Sequence, residues 1–399
     1  MVIMITIIRY TDEEKLKNTG LPMIIYGRRR TGKTFLVKRI FGGDNYLFVK
    51  RDRSIYWESE DTVINYQEMM RLILREDDKI FIVDEFHRLP DEFLDFIHIK
   101  NPKNLVLVTS TLWLAERMLS SSSPLLGLFS EYRMDIIDER DILRNLAPLI
   151  KDKKKLVEQA VYMREPILLR YFGSEIYKVL PQLKLTIPAL IGEIFLEEDK
   201  EFSARYEGVI RAIASGKRTL TEITQFLHSN SLIPKQDSSL IKPYLKILQS
   251  MGIIWRFPEF NVKRHRYFIP SPIIDTYYYL DEKYNFSERE LHQKYFEERV
   301  PMHVEMFFRT LLAKIFNYRI FLYQKPAEID IVLGDFRKIK FVGEVKWKSS
   351  VDKKDIKKAE EKLAKFRARR VLIVPDKSEI SAETKEIEVW DIEDILKMI

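Results

Sequence analysis

Gly27-Arg28-Arg29-Arg30-Thr31-Gly32-Lys33-Thr34 stands between an apolar run, Met23 to Tyr26, and a helix-like stretch, Phe35 to Ile40. A strand, a glycine-punctuated loop and a helix in that order make the G-x-x-x-x-G-K-[ST] cradle for phosphate. Gly27 and Gly32 let the backbone turn, so that the N–H groups of Arg28, Arg29, Arg30 and Thr31 face a β-phosphate; the positive end of the helix opening at Phe35 adds its field. Lys33 is placed to reach the β and γ oxygens, and Thr34 to put its hydroxyl on Mg²⁺. The ligands expected along Gly27 to Phe35 are ATP, or its product ADP, and Mg²⁺. The loop reads phosphates and leaves the choice between adenine and guanine open.

Such a site needs a carboxylate from a neighbouring strand, and Lys79-Ile80-Phe81-Ile82-Val83-Asp84-Glu85 supplies it. Four apolar residues in a row suit a strand buried on both faces of a parallel sheet, which delivers Asp84 to the carboxyl end where α/β sheets bind ligands. Asp84 is expected on the metal with Thr34, Glu85 as the base that polarises the attacking water, and Lys33 as the cation on the transferring phosphate. Apolar strands separated by helical stretches recur at Met23 to Tyr26, Tyr46 to Val49, Ile80 to Val83, Leu105 to Thr109 and Met134 to Ile137. They argue a doubly wound parallel sheet over residues 1–138. The fourth strand ends in Thr109-Ser110-Thr111, hydroxyls where a γ-phosphate sensor is wanted, although such residues also cap helices. Ser120 to Pro124 reads as a mobile loop.

At 399 residues the chain exceeds one hydrophobic core, so two or three domains are expected. Apolar content of 46% with 32% charged residues describes a soluble globular protein, and the absence of cysteine excludes disulfides and thiolate metal sites. The apolar start, Met1 to Ile8, is too short to span a bilayer, so the expected location is cytoplasmic, without a membrane partner. The net charge of +7 is local: Asp335 to Arg370 holds 14 Lys or Arg against 6 Asp or Glu. That excess fits either a polyanion-binding surface or the solvated face of an amphipathic helix from Lys353 to Arg370, with Ile356, Leu363 and Phe366 inward.

Residues 139–202 lack strand signals and read as about three helices, a lid beside the nucleotide, punctuated by Pro148, Pro166, Pro181 and Pro188. Residues 203–285 carry three helical stretches, Tyr206 to Ala214, Leu220 to Leu227 and Leu240 to Met251, then a hairpin around Lys263-Arg264-His265-Arg266. Three helices and a two-stranded wing are the winged-helix pattern, whose third helix enters the DNA major groove while the wing touches backbone. Pro243 is compatible with that helix only in its first turn.

Residues 286–399 bring a third constellation. Asp330 lies on a strand, and Gly343-Glu344-Val345-Lys346-Trp347 follows. Glu344 and Lys346 are two apart, so a strand turns both to one side. Asp330 and Glu344 on adjacent strands offer oxygen ligands to Mg²⁺, with Lys346 positioning a water and offsetting charge on a phosphodiester. Glu305, on a helical stretch from Phe296 to Phe316, is a candidate to support that metal through water. An inactive relative retaining these residues for binding or stability is the competing reading.

Together these strings resemble the archaeal ATPase family of P-loop proteins, which join an AAA+-like or STAND-like core to a winged helix and a C-terminal domain known as DUF234. Tyr26 to Thr34, Asp84-Glu85-Phe86 with Leu89-Pro90, Ser123-Pro124-Leu125-Leu126-Gly127 and Gly343 to Trp347 carry the likeness. Asp330, Glu344 and Lys346 match the carboxylates and lysine of the PD-(D/E)XK nuclease fold. Leu128-Phe129 replaces the arginine pair common after the Pro-Leu-x-Gly string, which leaves Arg133 or Arg117 as substitutes toward the γ-phosphate. Arg164-Glu165-Pro166 replaces a Gly-Gly turn, and is either a lid arginine near the nucleotide or simply a changed turn.

The expected fold is therefore an α/β P-loop NTPase with a parallel sheet and helical lid, followed by a winged helix and an α/β restriction-endonuclease-like domain. The expected function is ATP hydrolysis coupled to DNA binding, with DNA cleavage at the C-terminal trio. The alternative is a STAND-like regulatory ATPase that acts on a protein partner or assembles with copies of itself, its C-terminal domain a binding module.

Overall fold

The computed structural model describes residues 5–111, 125–197, 203–348, 350–380, 384 and 386–399. Seven strands among them make the first sheet: β1 (Met23–Tyr26), β2 (Tyr46–Val49), β3 (Ile55–Trp57), β4 (Thr62–Ile64), β5 (Phe81–Asp84), β6 (Leu105–Thr109) and β7 (Ser130–Arg133). Their spatial order is β4-β3-β2-β5-β6-β1-β7. The five-strand core is parallel, but β3 and β4 are added antiparallel on the β2 edge. The sheet is thus mixed rather than purely parallel, since three-residue strands are too short to show a period in the sequence.

The last core strand also differs from expectation, covering Ser130–Arg133 and not Met134 to Ile137. Register explains this: β1 spends its pairing on Ser130 to Arg133, and the Met134 amide then closes on the Tyr26 carbonyl at 2.7 Å. Met134, Ile136 and Ile137 are apolar because they are buried as loop, not because they extend the sheet. Alternation along the strands divides the core. Ile24, Val83 and Leu107 pack on one face with Phe93 and Ile97, while Met23, Ile25, Ile82 and Val106 meet Leu36 and Val37 of the helix Lys33–Phe41.

Helices Glu139–Leu146, Lys153–Met163, Ile176–Val179 and Thr186–Glu197 follow, joined by short 3₁₀ turns. The next unit has helices Ala204–Ala214, Leu220–Ser229 and Lys242–Ser250, then the antiparallel ribbon β8 (Trp255–Pro258) and β9 (His265–Phe268). Thr219 and Glu222 close a reciprocal capping box at the second helix. Pro243 does fall in the first turn of the third, where its missing N–H is no loss.

Helices Pro272–Tyr284 and Val300–Phe316 lead to a five-stranded sheet in order β10 (Arg319–Tyr323), β11 (Ile329–Asp335), β12 (Lys338–Val345), β13 (Arg369–Ile373) and β14 (Glu388–Trp390). Ile331, Leu333, Phe341, Val371 and Ile373 face one continuous core shared with the helices of residues 139–197 and the three-helix unit. Val332, Val342 and Leu372 face the helix Lys353–Leu363; Ile356, Leu363 and Phe366 are buried as expected, but the helix stops at Leu363 rather than Arg370, because Arg369 and Arg370 belong to β13. Among the described residues no helix is long and apolar enough to cross a membrane.

Candidate functional site

The phosphate loop joins β1 to the helix Lys33–Phe41. Gly27 has φ 153° and Gly32 φ 91°, backbone that glycine adopts without strain. Gly27 is also enclosed: a Cβ there would lie 2.1 Å from the Met134 carbonyl oxygen. Gly27→Ala is therefore expected to distort the loop and abolish the melting shift caused by ATP, as read by differential scanning fluorimetry. Lys33 is buried and donates to the Gly27 and Arg28 carbonyls at 2.7 and 3.0 Å, a cation held inside the loop it serves. Phe35 turns outward, 53% exposed.

At the end of β5, Asp84 accepts from the Thr34 hydroxyl at 2.6 Å, from the Tyr46 hydroxyl at 2.8 Å and from the Glu85 amide at 2.9 Å. Burial raises the Asp84 pKa, while the Thr34 and Tyr46 bonds oppose that shift. Thr34 and Asp84 thus come together as expected, an oxygen set suited to a hard cation. Glu85 has φ 56°, left-handed for a side-chain-bearing residue. Its carboxylate takes a hydrogen bond from Ser110 at 3.3 Å and lies 3.5 Å from Arg88 and 4.0 Å from Arg29. His87 bonds Thr109 at 3.0 Å; burial, then Arg88, lowers its pKa to about 4, so it is neutral at physiological pH. The expected polar end of β6 therefore does face the expected base.

Three arginines of the loop meet carboxylates of residues 139–197. Arg28 forms a buried ion pair with Glu165 at 2.6 Å, and Arg29 and Arg30 lie 3.9 Å from Glu193. Arg164 donates to the Ile137 carbonyl and pairs with Glu139 at 2.7 Å. Arg133 lies against Gly252 and Asp135. Arg117 and Ser120 to Pro124 fall outside the described residues. Tyr46 and Arg9, whose guanidinium donates to the Thr31 carbonyl at 2.7 Å, are additions to the site. Neither belongs to a motif, so only spatial proximity reveals them.

The C-terminal trio is assembled as well. Asp330 on β11 accepts from the Val345 amide at 2.8 Å, and Glu344 on β12 is fully buried. Lys346 reaches Glu344 at 3.3 Å, and Lys362, from the helix behind, reaches the same oxygen at 2.7 Å. Sequence reading missed Lys362, one lysine among many on a charged helix. Burial, then the Glu344 charge, raises the Asp330 pKa to about 6; burial, then Asp330, raises Glu305 to about 7. Arg309 grips the Asp330 carbonyl at 2.8 and 2.5 Å. The second Glu344 oxygen is buried without a hydrogen-bond partner. A carboxylate oxygen so placed fits a cation, yet no cluster of three or more acidic or imidazole groups able to hold a metal occurs among the described residues.

A third feature is a groove of about 1300 Å³ between the helix Lys242–Ser250 and the β8–β9 ribbon. Lys242, Lys246 and Gln249 are exposed on one helix face, and Arg256, Lys263 and Arg264 on the ribbon. Glu222 also lines it, but its carboxylate is engaged by the Thr219 hydroxyl and amide at 2.8 Å.

Residues 20–141 match the family model of an AAA domain. That segment is an AAA-type P-loop ATPase domain, which implies ATP as its nucleotide. No curated protein matches the chain. Among solved structures, the chain is similar to the Walker-type ATPase of Pyrococcus abyssi, with 18% identity over 68% of this chain and 96% of that one, TM-score 0.49. It is similar to the Aeropyrum pernix ORC1 protein in complex with DNA, with 13% identity over 72% of this chain and 96% of that one, TM-score 0.31. It is similar also to a Pyrococcus horikoshii STAND protein with a tetratricopeptide repeat sensor, with 13% identity over 79% of this chain and 46% of that one, TM-score 0.30. These likenesses are distant, and none carries a function across.

Proposed function

We propose that this chain hydrolyses ATP to control its engagement of DNA, and that it cuts DNA at Asp330, Glu344 and Lys346. The unpartnered, buried oxygen of Glu344 beside Asp330 carries the cutting reading. A polar atom left so is costly unless a ligand completes it. Asp330 and Glu344 hold Mg²⁺ in this reading, and Mg²⁺ supplies Lewis acidity at the scissile phosphate. Lys346 orients the attacking water and offsets charge on the phosphodiester; water adds at phosphorus as the bond to the leaving sugar oxygen breaks. DNA lies in the basic groove, where lysines and arginines replace its counterions.

At the other end of the chain, Lys33 leaves the loop carbonyls for the β and γ oxygens, Thr34 and Asp84 hold Mg²⁺, and Glu85 orients water. The Arg28–Glu165 pair joins the loop to the lid, so nucleotide arrival is transmitted beyond the core. A second reading has its own support: the two lysines on Glu344 make an ion-pair cluster such as a binding module keeps for stability. Cleavage of plasmid DNA with Mg²⁺ or Mn²⁺ separates the two. In the first, Glu344→Gln and Lys346→Ala each lower the rate about a hundredfold or more while ATP binding persists. No cleavage by the unmodified protein under any metal and nucleotide condition would leave the binding module.

A further inference from the structure

A residue that no motif marks connects the ATPase core with the three-helix unit. Arg133 ends β7, an edge strand that pairs with β1, and stands opposite Tyr26. Its guanidinium lies over Gly252, just past the helix Lys242–Ser250; a Cβ on Gly252 would meet Nη2 at 2.6 Å. From there it lines the basic groove together with Lys242, Lys246, Arg256, Lys263 and Arg264. Its ionic neighbour Asp135 is 3.5 Å away and 57% exposed. Exposed pairs of that kind contribute little and give way readily to another anion.

We propose that Arg133 is a DNA-backbone contact supplied by the ATPase core, so that the groove is shared by two units and its occupancy is felt at the phosphate loop. The connection is one residue long. Met134 follows Arg133, donates its amide to the Tyr26 carbonyl at 2.7 Å, and sets its own carbonyl against Gly27 where no side chain fits. A shift of the Arg133–Met134 peptide toward a bound phosphate therefore moves the loop that holds the nucleotide. Conversely, a loop reorganised by ATP moves Arg133. The two affinities must then change by the same factor, as any linkage requires. This inference rests on DNA being the ligand of the groove, as proposed above.

The test measures binding of a duplex oligonucleotide to the full chain across a salt series, with and without a non-hydrolysable ATP analogue. Unmodified protein, Arg133→Ala, Arg133→Lys and Lys246→Ala are compared. Each lost phosphate contact lowers the log–log salt slope by about 0.9. Both alanine variants should lose one such step, and Arg133→Lys should recover it. The ratio of DNA affinities with and without the analogue should differ from one in the unmodified protein, persist in Lys246→Ala and fall to one in Arg133→Ala. An unchanged slope in Arg133→Ala overturns the contact. A ratio of one in the unmodified protein, or one that survives in Arg133→Ala, overturns the link to the loop. A flat salt response in the unmodified protein removes DNA as the ligand, and the inference goes with it.

Discussion

Replacing Lys33 by alanine should abolish nucleotide-induced stabilisation and lower ATP hydrolysis by about two to three orders of magnitude. The ammonium is buried, and its bonds are to the carbonyls of Gly27 and Arg28. In the proposed nucleotide-bound state the same ammonium exchanges carbonyl dipoles for full phosphate charges, a larger gain in a site of low dielectric. ATP at about 100 times its dissociation constant stabilises the unmodified fold by roughly 2.7 kcal/mol, an increment visible as a melting shift. The variant should show none, while its melting temperature without nucleotide stays close to that of the unmodified chain. A full shift in Lys33→Ala would mean that the triphosphate binds elsewhere.

The second large effect is expected far from any reacting atom. Glu139 opens the helix Glu139–Leu146 with its side chain at 0% exposure. Arg164 lies at 2.7 Å, Lys314 at 2.5 Å and the Thr310 hydroxyl at 2.6 Å, the last two from the helix Val300–Phe316. That helix also carries Glu305 and Arg309 toward Asp330, so one carboxylate fastens the helix Glu139–Leu146 to the element behind Asp330. Glu139→Ala leaves Arg164, itself 4% exposed, buried without its carboxylate. Breaking a buried pair in this way costs about 3–5 kcal/mol, to be read from urea unfolding.

Acid titration gives the sign independently. Burial pushes the Glu139 pKa up, but Arg164 and Lys314 outweigh it and the net shift is downward. Its contribution is therefore present above the unfolded value of about 4.3 and is lost as pH falls below it. The stability gap between unmodified protein and Glu139→Ala should narrow on acidification from pH 5; a gap independent of pH would assign the loss to packing instead.

Much of the nucleotide site was legible because its parts are local. Gly27 to Thr34 needs eight consecutive residues, and Asp84-Glu85 sits at the end of a strand whose apolar run announces burial. The Asp330, Glu344 and Lys346 trio could be read for the same reason, its two later members being two residues apart, Glu344 in β12 and Lys346 just past its end. Lys362 and Tyr46 could not, because each reaches its carboxylate across space from an element whose own pattern serves only packing. The β7 boundary failed on a different ground. Apolar residues such as Met134, Ile136 and Ile137 are equally buried in a strand or in a packed loop, and only pairing with β1 distinguishes the two.

By itself, the order of residues determined the phosphate cradle, the buried strand that carries Asp84 and the succession of helical and extended segments. Backbone conformation and alternation are short-range, and a few neighbouring side chains decide them. Tertiary structure alone decided that Arg28 meets Glu165, that Glu139 gathers cations from two elements, and that Arg133 joins a groove built mainly by residues more than a hundred positions later. Charged side chains leave no periodic trace, and which opposite charge each one finds depends on how separately folded elements come to rest against a common core.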